Sequence, residues 1–492
     1  MSLQLQAARG LKWQMIEIAG RQFLGLAVFT TLARLLDPSA FGLMGQVGIY
    51  LAFVGMFVDQ GIATALIQRK TLESQHINAA FWFNLTCAAT LCLATIASAG
   101  FVATFFAEPR LEPLLRWASL ALVVHASGAV HGTLFIREMD FRRPTIRTLI
   151  ANVAGGVVGV TMGVAGYGVW SLVGQQLTSS IAGTCFLWIA SSWRPSIGFS
   201  FAHLRQLMRV SASVFASGLL WFFSSRLDQI VIGRITGAGI LGQYVIGNKL
   251  AEIARTAVHQ PISVVSLPAL SRLQGNSARL CQAIYKGMQL NSLVSFAVFG
   301  GLASIAPSLV PLVLGKQWEP AASLLQLLAL YQLVVVLFVY CYPALLASGG
   351  PGKHLLVNTV CAAGAAMACF VGIRFGVHFV VVGLIMNITW IGLLALWFLR
   401  RRIGLSPLLY LRPCTIPFLA ACAMFLAVRL LASLLSPSPS PWLALGLQVL
   451  LGGIVYLGVV LAEGTERVGQ LLDVVNLALH RSARDSIETC VN

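Results

Sequence analysis

Charge is what this chain has least of. Of its 492 residues 10% are Asp, Glu, Lys or Arg, against about 25% in a soluble domain, whose surface must face water. Most of this surface must face something else, and lipid is the abundant candidate. Acidic residues are scarcest: 16 against 33 Lys and Arg, for a net charge of +17. The ten cysteines stand singly, mostly inside apolar runs (Cys87, Cys92, Cys185, Cys361, Cys369, Cys422), with no Cys-x-x-Cys pair. Neither a disulfide framework nor a zinc site is expected from them. Ser348-Gly349-Gly350-Pro351-Gly352-Lys353-His354 lacks the spacing of a P-loop and the Ser or Thr that follows its lysine, which argues against ATP hydrolysis. The first apolar stretch, from about Trp13, lacks a short h-region and a small-residue cleavage site, so it reads as a permanent span. No catalytic group, cofactor or metal is expected.

What the chain has instead is apolar length. Hydrophobic residues make up 58% of it, and segments long enough to cross a bilayer, roughly 20 residues, recur throughout. The runs predict an all-α polytopic membrane protein of about fourteen spans: 13–35, 41–66, 78–104, 114–136, 146–165, 168–191, 210–235, 243–267, 284–305, 321–347, 355–373, 377–399, 414–435 and 442–462. The basic residues explain their own abundance. They fall in alternate loops: Arg69 and Lys70; Arg137, Arg142, Arg143 and Arg147; Arg194 and Arg205; Arg272, Arg279 and Lys286; Lys353; Arg400 to Arg402 and Arg412. The other loops (Asp37 to Ser39, Gly166 to Gly168, Ser436 to Pro441) are nearly free of them. By the positive-inside rule the basic set is cytoplasmic, and an even span count puts both termini there too. A nucleic-acid face would need these charges clustered on a soluble surface, so no nucleic-acid partner is expected.

The chain also repeats. A shift of 200 residues lays Arg34-Leu35 to Phe41-Gly42 on Arg234-Ile235 to Leu241-Gly242, and Asp59-Gln60-Gly61-Ile62 on His259-Gln260-Pro261-Ile262. This predicts two six-helix lobes, 1–205 and 206–400, in parallel pseudo-twofold repeat about the membrane normal. Two additional helices (401–463) and a cytoplasmic amphipathic tail (464–492) follow. Gly61 and Pro261, at matching places, are expected to bend their helices. Two short amphipathic pieces are expected at the membrane surface. One sets Phe201, Leu204 and Met208 against His203, Arg205 and Arg209; the other shares Val468, Leu471, Leu472, Val475 and Leu479 on one face. Gly155, Gly159 and Gly163 read as ordinary close helix packing.

Charged groups inside lipid are costly, so each is a functional candidate. Gln14, Glu17 and Arg21 share one face of the first span. Asn248, Lys249, Glu252, Arg255, Thr256 and His259 form a stripe on the eighth. Asp59, His125, His131, Arg226 and Asp228 stand in other spans. Such faces look onto a hydrated cavity or onto each other. Glu17–Arg21 and Lys249–Glu252 could also be self-neutralising pairs that hold helices together. Arg21, Arg226, Lys249 and Arg255 outnumber Glu17, Asp228 and Glu252, a surplus that suits an anionic, phosphate-bearing substrate.

Several motifs carry a resemblance. Trp13 with Arg21-Gln22, and Ala33-Arg34-Leu35-Leu36-Asp37-Pro38-Ser39-Ala40-Phe41-Gly42, resemble the opening of the polysaccharide-transport (Wzx-type) flippases. Asp59-Gln60-Gly61-Ile62 to Ala65-Leu66-Ile67-Gln68-Arg69 is similar to their second-helix signature, and Leu227-Asp228 to Gly233-Arg234 with Leu241-Gly242-Gln243-Tyr244 to their seventh-to-eighth helix turn. Gly315-Lys316-Gln317-Trp318-Glu319-Pro320-Ala321 matches the loop after span nine. The likeness runs over about residues 10–400 and is nearest the colanic-acid and exopolysaccharide exporter branch of the multidrug/oligosaccharidyl-lipid/polysaccharide superfamily. One departure is that the second half's turn reads Thr236-Gly237-Ala238-Gly239, without Asp-Pro.

The resemblance implies two six-helix lobes in a V with extra helices at the end. It implies a multi-pass protein of the bacterial inner membrane that moves undecaprenyl-diphosphate-linked oligosaccharide from the cytoplasmic to the periplasmic leaflet by alternating access. Arg21, Gln22, Arg226, Lys249 and Arg255 are then the candidates for diphosphate and sugar. Glu17, Asp59, Asp228 and Glu252 are the candidates for coupling to H+ or Na+. Contact with polysaccharide polymerase or export machinery is a further expectation. The alternatives are a drug/cation antiporter, whose cavity should be net acidic, or another lipid exporter of the same fold. A membrane polymerase or ligase would need a long periplasmic loop, and none is evident.

Overall fold

The computed structural model describes residues 3–59, 62–69, 71–198, 200–271, 273, 276–348, 351–435 and 440–462. The tail at 464–492 and the proposed bend at Gly61 lie outside them. Every regular element among the described residues is helical: α1 (Leu3–Leu35), α2 (Pro38–Asp59), α3 (Ile62–Gln68), α4 (Ser74–Phe106), α5 (Leu111–Ala118), α6 (Leu120–Arg137), α7 (Arg142–Val164), α8 (Trp170–Ala190), α9 (Phe201–Ser271), α10 (Ser277–Leu314), α11 (Glu319–Leu337), α12 (Cys341–Ala347), α13 (Pro351–Gly372), α14 (Val377–Ile403), α15 (Pro407–Leu411), α16 (Thr415–Leu434) and α17 (Pro441–Ala462).

Twelve helical stretches of the described residues are long and apolar enough to cross a membrane. α8, of 21 residues, is a thirteenth of sufficient length. The stretch Phe222–His259 is broken at Gly237, whose φ of 81° and ψ of 177° are not helical, so twelve such stretches stand against the roughly fourteen spans expected. The amphipathic piece at 201–209 opens α9: Leu204 is buried and Phe201 exposed.

The chain forms two compact units. The first comprises Met1–Ile246, Val313–Trp318 and Cys369–Val377, the second Gly247–Leu312, Glu319–Ala368 and His378–Asn492. The first is cored by Leu43, Val47 and Leu51 of α2 packed with Ala99 and Ala103 of α4 and Leu111, Leu114 and Leu115 of α5. In the second, Ile284, Phe296 and Phe299 of α10 pack with Val336, Ile391, Tyr410 and Met424. The small-residue series on α7 does what its spacing suggests. A Cβ at Gly155 would collide with Ser179 Oγ, and one at Gly159 with the Gln175 side chain, so α7 lies hard against α8.

Four of the segments that carried the resemblance converge in the first unit. α2 begins on Pro38, whose missing N–H is one of the donors a helix start leaves unpaired anyway. The second half has no Asp-Pro, and there Gly237 makes the turn, its positive φ being open to glycine at no steric cost. The two turns meet. An added Cβ at Gly42 would stand 1.7 Å from the Ala238 carbonyl oxygen, and one at Gly242 would stand 1.8 Å from that of Pro38. The contacts are reciprocal under the 200-residue offset. Trp318 locks the same corner: it is fully buried, its Nε1 donates to the Ala33 carbonyl at 2.7 Å, and its ring meets Phe41 edge-on at 5.4 Å. Arg34 Nε donates to the Val313 carbonyl at 2.8 Å, Gln243 Nε2 to that of Gln317 at 3.0 Å, and Gln46 Nε2 to that of Gly233 at 3.2 Å.

Candidate functional site

In the first unit, α1 carries Glu17, Arg21 and Gln22 on a span of which only 6% is buried. Glu17 is half-buried and turns to α7, where Thr148 Oγ1 donates to its Oε1 at 3.2 Å and the Arg147 guanidinium lies within electrostatic reach. Arg21 is exposed and makes no ion pair with Glu17; Gln22 is half-buried. The alternative of a self-neutralising Glu17–Arg21 pair therefore does not form. Glu17 instead joins α1 to α7, and Arg21 has no ion-pair partner among the described residues. The Gln14 side chain lies outside the described residues.

The first half of α9 places two further candidates. Asp228 accepts from the Tyr244 hydroxyl at 2.5 Å, a bond across the Gly237 break that ties the two arms of the turn together. Arg226 Nη1 reaches Gln229 Oε1 at 3.4 Å, one helical turn on, and is half-buried. Asp59 closes α2 by its backbone; its side chain lies outside the described residues.

In the second unit the polar stripe of α9 sorts itself differently from its spacing. Glu252 is gripped by Arg255, Nε to Oε2 at 2.7 Å and Nη2 to Oε1 at 2.5 Å, a two-pronged pair with both side chains 42% exposed. Lys249 is exposed and not part of it. The alternative Lys249–Glu252 pair is thus replaced by Glu252–Arg255, because the guanidinium fork matches both carboxylate oxygens where an ammonium matches one. His259 is buried against Phe299, its Nε2 without a hydrogen bond.

Two features escaped the sequence reading. Tyr244 stood in a quoted motif, but its bond to Asp228, 16 residues back, needs the turn to be seen. His131 of α6 is fully buried in an aromatic box of Trp188 (4.8 Å), Trp193 (5.1 Å) and Phe81 (6.3 Å), with neither ring nitrogen in hydrogen-bonding geometry. It is a packing residue and not a cavity lining. His125 is exposed.

A family model described as "Polysaccharide biosynthesis protein" matches residues 31–323. The chain is 27% identical over 322 residues to the succinoglycan biosynthesis transport protein ExoT of Rhizobium meliloti, covering 65% of each chain. It is 28% identical over 340 residues to the lipopolysaccharide biosynthesis protein WzxC of Escherichia coli, covering 68% of each. The match to ExoT thus spans slightly less than two thirds of that relative's length. Among solved structures, the lipid II flippase MurJ in an inward closed conformation superposes with a TM-score of 0.73 at 12% identity, over 94% of this chain and 100% of MurJ. An inward-facing multidrug resistance transporter of the MATE family follows with a TM-score of 0.61 at 14% identity, over 79% and 98%. These two likenesses show the fold.

Proposed function

The chain belongs to the polysaccharide biosynthesis protein family that matches residues 31–323, and on that premise we propose that it is a flippase for undecaprenyl-diphosphate-linked oligosaccharide. It carries the repeat unit from the cytoplasmic to the periplasmic leaflet of a bacterial inner membrane, for exopolysaccharide or lipopolysaccharide assembly. The observation that carries this reading is Arg21, an exposed guanidinium on an apolar span whose nearest acidic neighbour in sequence, Glu17, is engaged elsewhere. A cation kept uncompensated within a span is expensive and answers to an anionic cargo. The diphosphate offers the bidentate geometry that guanidinium favours. Arg226 and Lys249 add positive charge, Gln22 hydrogen bonds for sugar, and Arg255 acts with Glu252. A drug/cation exporter would call for the opposite sign.

In this reading the six-helix repeat, 1–205 and 206–400, rocks about its pseudo-twofold axis, followed by the helices of 401–463. The touching turns at Asp37–Phe41 and Gly237–Leu241 support it, since they are the parts that the 200-residue offset makes equivalent. Basic loops and both termini face the cytoplasm, and the polymerase and export machinery receive the cargo after it has crossed. Asp228, Glu17 and Asp59 are the groups through which H+ or Na+ would couple. The chain needs no enzymatic loop: the longest connection between described helices runs from Ala190 to Phe201.

The test is reconstitution with a fluorescent undecaprenyl-diphosphate oligosaccharide and a membrane-impermeant quencher. Protein-dependent exchange between leaflets that R21A abolishes and R21K partly restores is expected. Exchange unaltered by R21A would remove the residue on which the reading stands, and exchange of an uncharged polyprenol at the same rate would overturn the substrate.

A further inference from the structure

Glu73, His76 and His203 converge at the junction between α4 and the start of α9, although 127 residues separate the two histidines in sequence. One ligand atom from each lies within 4.8 Å of the others. Glu73 Oε2 and His203 Nε2 are 3.4 Å apart, which is the separation of two ligands of a tetrahedral ion with bonds of about 2.1 Å. The rings of His76 and His203 meet edge-on, with centroids 4.4 Å apart. The absence of Cys-x-x-Cys spacing, on which no metal was expected, says nothing about a histidine–carboxylate set assembled by the fold.

Each ligand is already oriented. Glu73 is the N-cap of α4 in a capping box: its carboxylate accepts from the His76 N–H, and His76 Nδ1 faces the Glu73 N–H at 3.4 Å. This bond is long. His203 Nδ1 lies 2.6 Å from Ser200 Oγ. That contact is the outer-shell hydrogen bond that fixes the ring and leaves Nε2 to ligate, as in most protein zinc sites. The loop bringing His203 here is pinned twice more on α4, by Asn78 Nδ2 to Ser196 Oγ at 2.6 Å and by Trp82 Nε1 to the Ser196 carbonyl at 2.8 Å. His76 is 1% exposed, while Glu73 stands open, so the set has a buried wall and an entry side.

We propose that Glu73, His76 and His203 form a binding site for a divalent transition-metal ion, zinc by the chemistry of two imidazoles and one carboxylate. The ion fastens the segment entering α9 to the first turn of α4. The fourth position is left for water. Binding replaces the direct His203–Glu73 contact with two metal bonds. The same cluster without an ion would be a helix cap and a histidine–carboxylate contact, and the two cases separate experimentally.

Tag-free full-length protein in nanodiscs, stripped with chelator, is titrated with Zn2+ alone and, in parallel, with Co2+. One equivalent of zinc per chain retained through gel filtration, a visible d–d band with Co2+ and a raised Tm are expected. H203A and E73Q should each weaken binding at least tenfold. Glutamine still serves a capping box, so E73Q keeps the α4 start and tests the site independently of H203A, which also removes a ring packed on His76. H378A, which removes an imidazole bonded to Ser323 in the second unit, should leave binding unchanged. Zinc binding that survives both H203A and E73Q, or no saturable binding at all, overturns the site. A Tm that follows pH through His203 yet ignores zinc assigns the cluster to proton binding and overturns it equally.

Discussion

Replacing Gly42 by alanine perturbs the crossing of the two turns by a single methyl group. Its Cβ would stand 1.7 Å from the Ala238 carbonyl oxygen and 2.6 Å from that carbonyl's carbon, where an unstrained carbon–oxygen approach is about 3.3 Å or more. The obstacle is backbone, so no rotamer change relieves it, and the turns must part by roughly 1.5 Å to recover that distance. Overpacking of this kind costs about 1–3 kcal/mol, which lowers the population with the turns together about 5- to 150-fold relative to any state with them apart. Helix propensity acts the other way, since alanine is better than glycine inside a helix by about 0.5–1 kcal/mol. The assay is disulfide formation between cysteines placed at Ser39 and Gly239 in a cysteine-free background, a bond that requires Cα atoms within about 7 Å. G42A should slow crosslinking by the factor above, and G242A, aimed at the Pro38 carbonyl, should match it. G48A on the same helix, where a Cβ meets nothing within 4 Å, should crosslink like the parent. A parental rate in G42A, or equal slowing in G48A, would refute the reasoning.

Three further perturbations discriminate between structural and transport roles. Y244F removes the donor to Asp228 and should lower stability by about 1–3 kcal/mol, a half-buried acceptor having lost its partner; D228N, which still accepts, should keep most of the stability, and a change in the ion dependence of transport in D228N alone would identify the coupling group. R255A should cost no more than about 1 kcal/mol, because the Glu252–Arg255 pair is 42% exposed on both sides, yet stop transport; full activity in R255A together with a large loss of Tm would make the pair purely structural. H131F should leave Tm unchanged or raise it, since an imidazole with no hydrogen bond is exchanged for an apolar ring inside an aromatic box; a fall in Tm would reveal a partner for His131.

Much of the architecture was legible because one property, apolar length, determines it. The runs from 13–35 to 442–462 foretell where the helices lie but not their ends, since α1 starts ten residues earlier and α10 extends beyond 284–305 on both sides; where α9 runs on as Phe201–Ser271 the Gly237 break restores the expected division. The motifs at Arg34 to Gly42, Gly233 to Tyr244 and Gly315 to Trp318 could be read as a set, but their convergence could not. Trp318 and Ala33 are 285 residues apart, and nothing local to either says that an indole N–H will close the end of α1. Ion pairing was the least legible. Spacing along one helix brings Glu17 near Arg21 and Lys249 near Glu252, but the Thr148 hydroxyl on α7 and the fork geometry of Arg255 compete for the same carboxylates and win. His203 and His76 show the same limit, since a ligand set drawn from two distant segments has no spacing signature.

The reciprocal contact of Gly42 with Ala238 and of Gly242 with Pro38 has the form of an isologous interface, in which patch i meets j and its copy j meets i. That form belongs ordinarily to two identical subunits, and here one polypeptide supplies both. A chain of half the length, carrying one such turn, could close on a second copy of itself through the same two carbonyls. Joining the copies in one chain frees each turn to change its chemistry, Asp-Pro on one side and a lone glycine at 237 on the other. It does not free the space between them. A side chain gained at either glycine wedges a joint that both halves share, so the two contacts make and break together, and the corner behaves as one cooperative clasp instead of two independent touches.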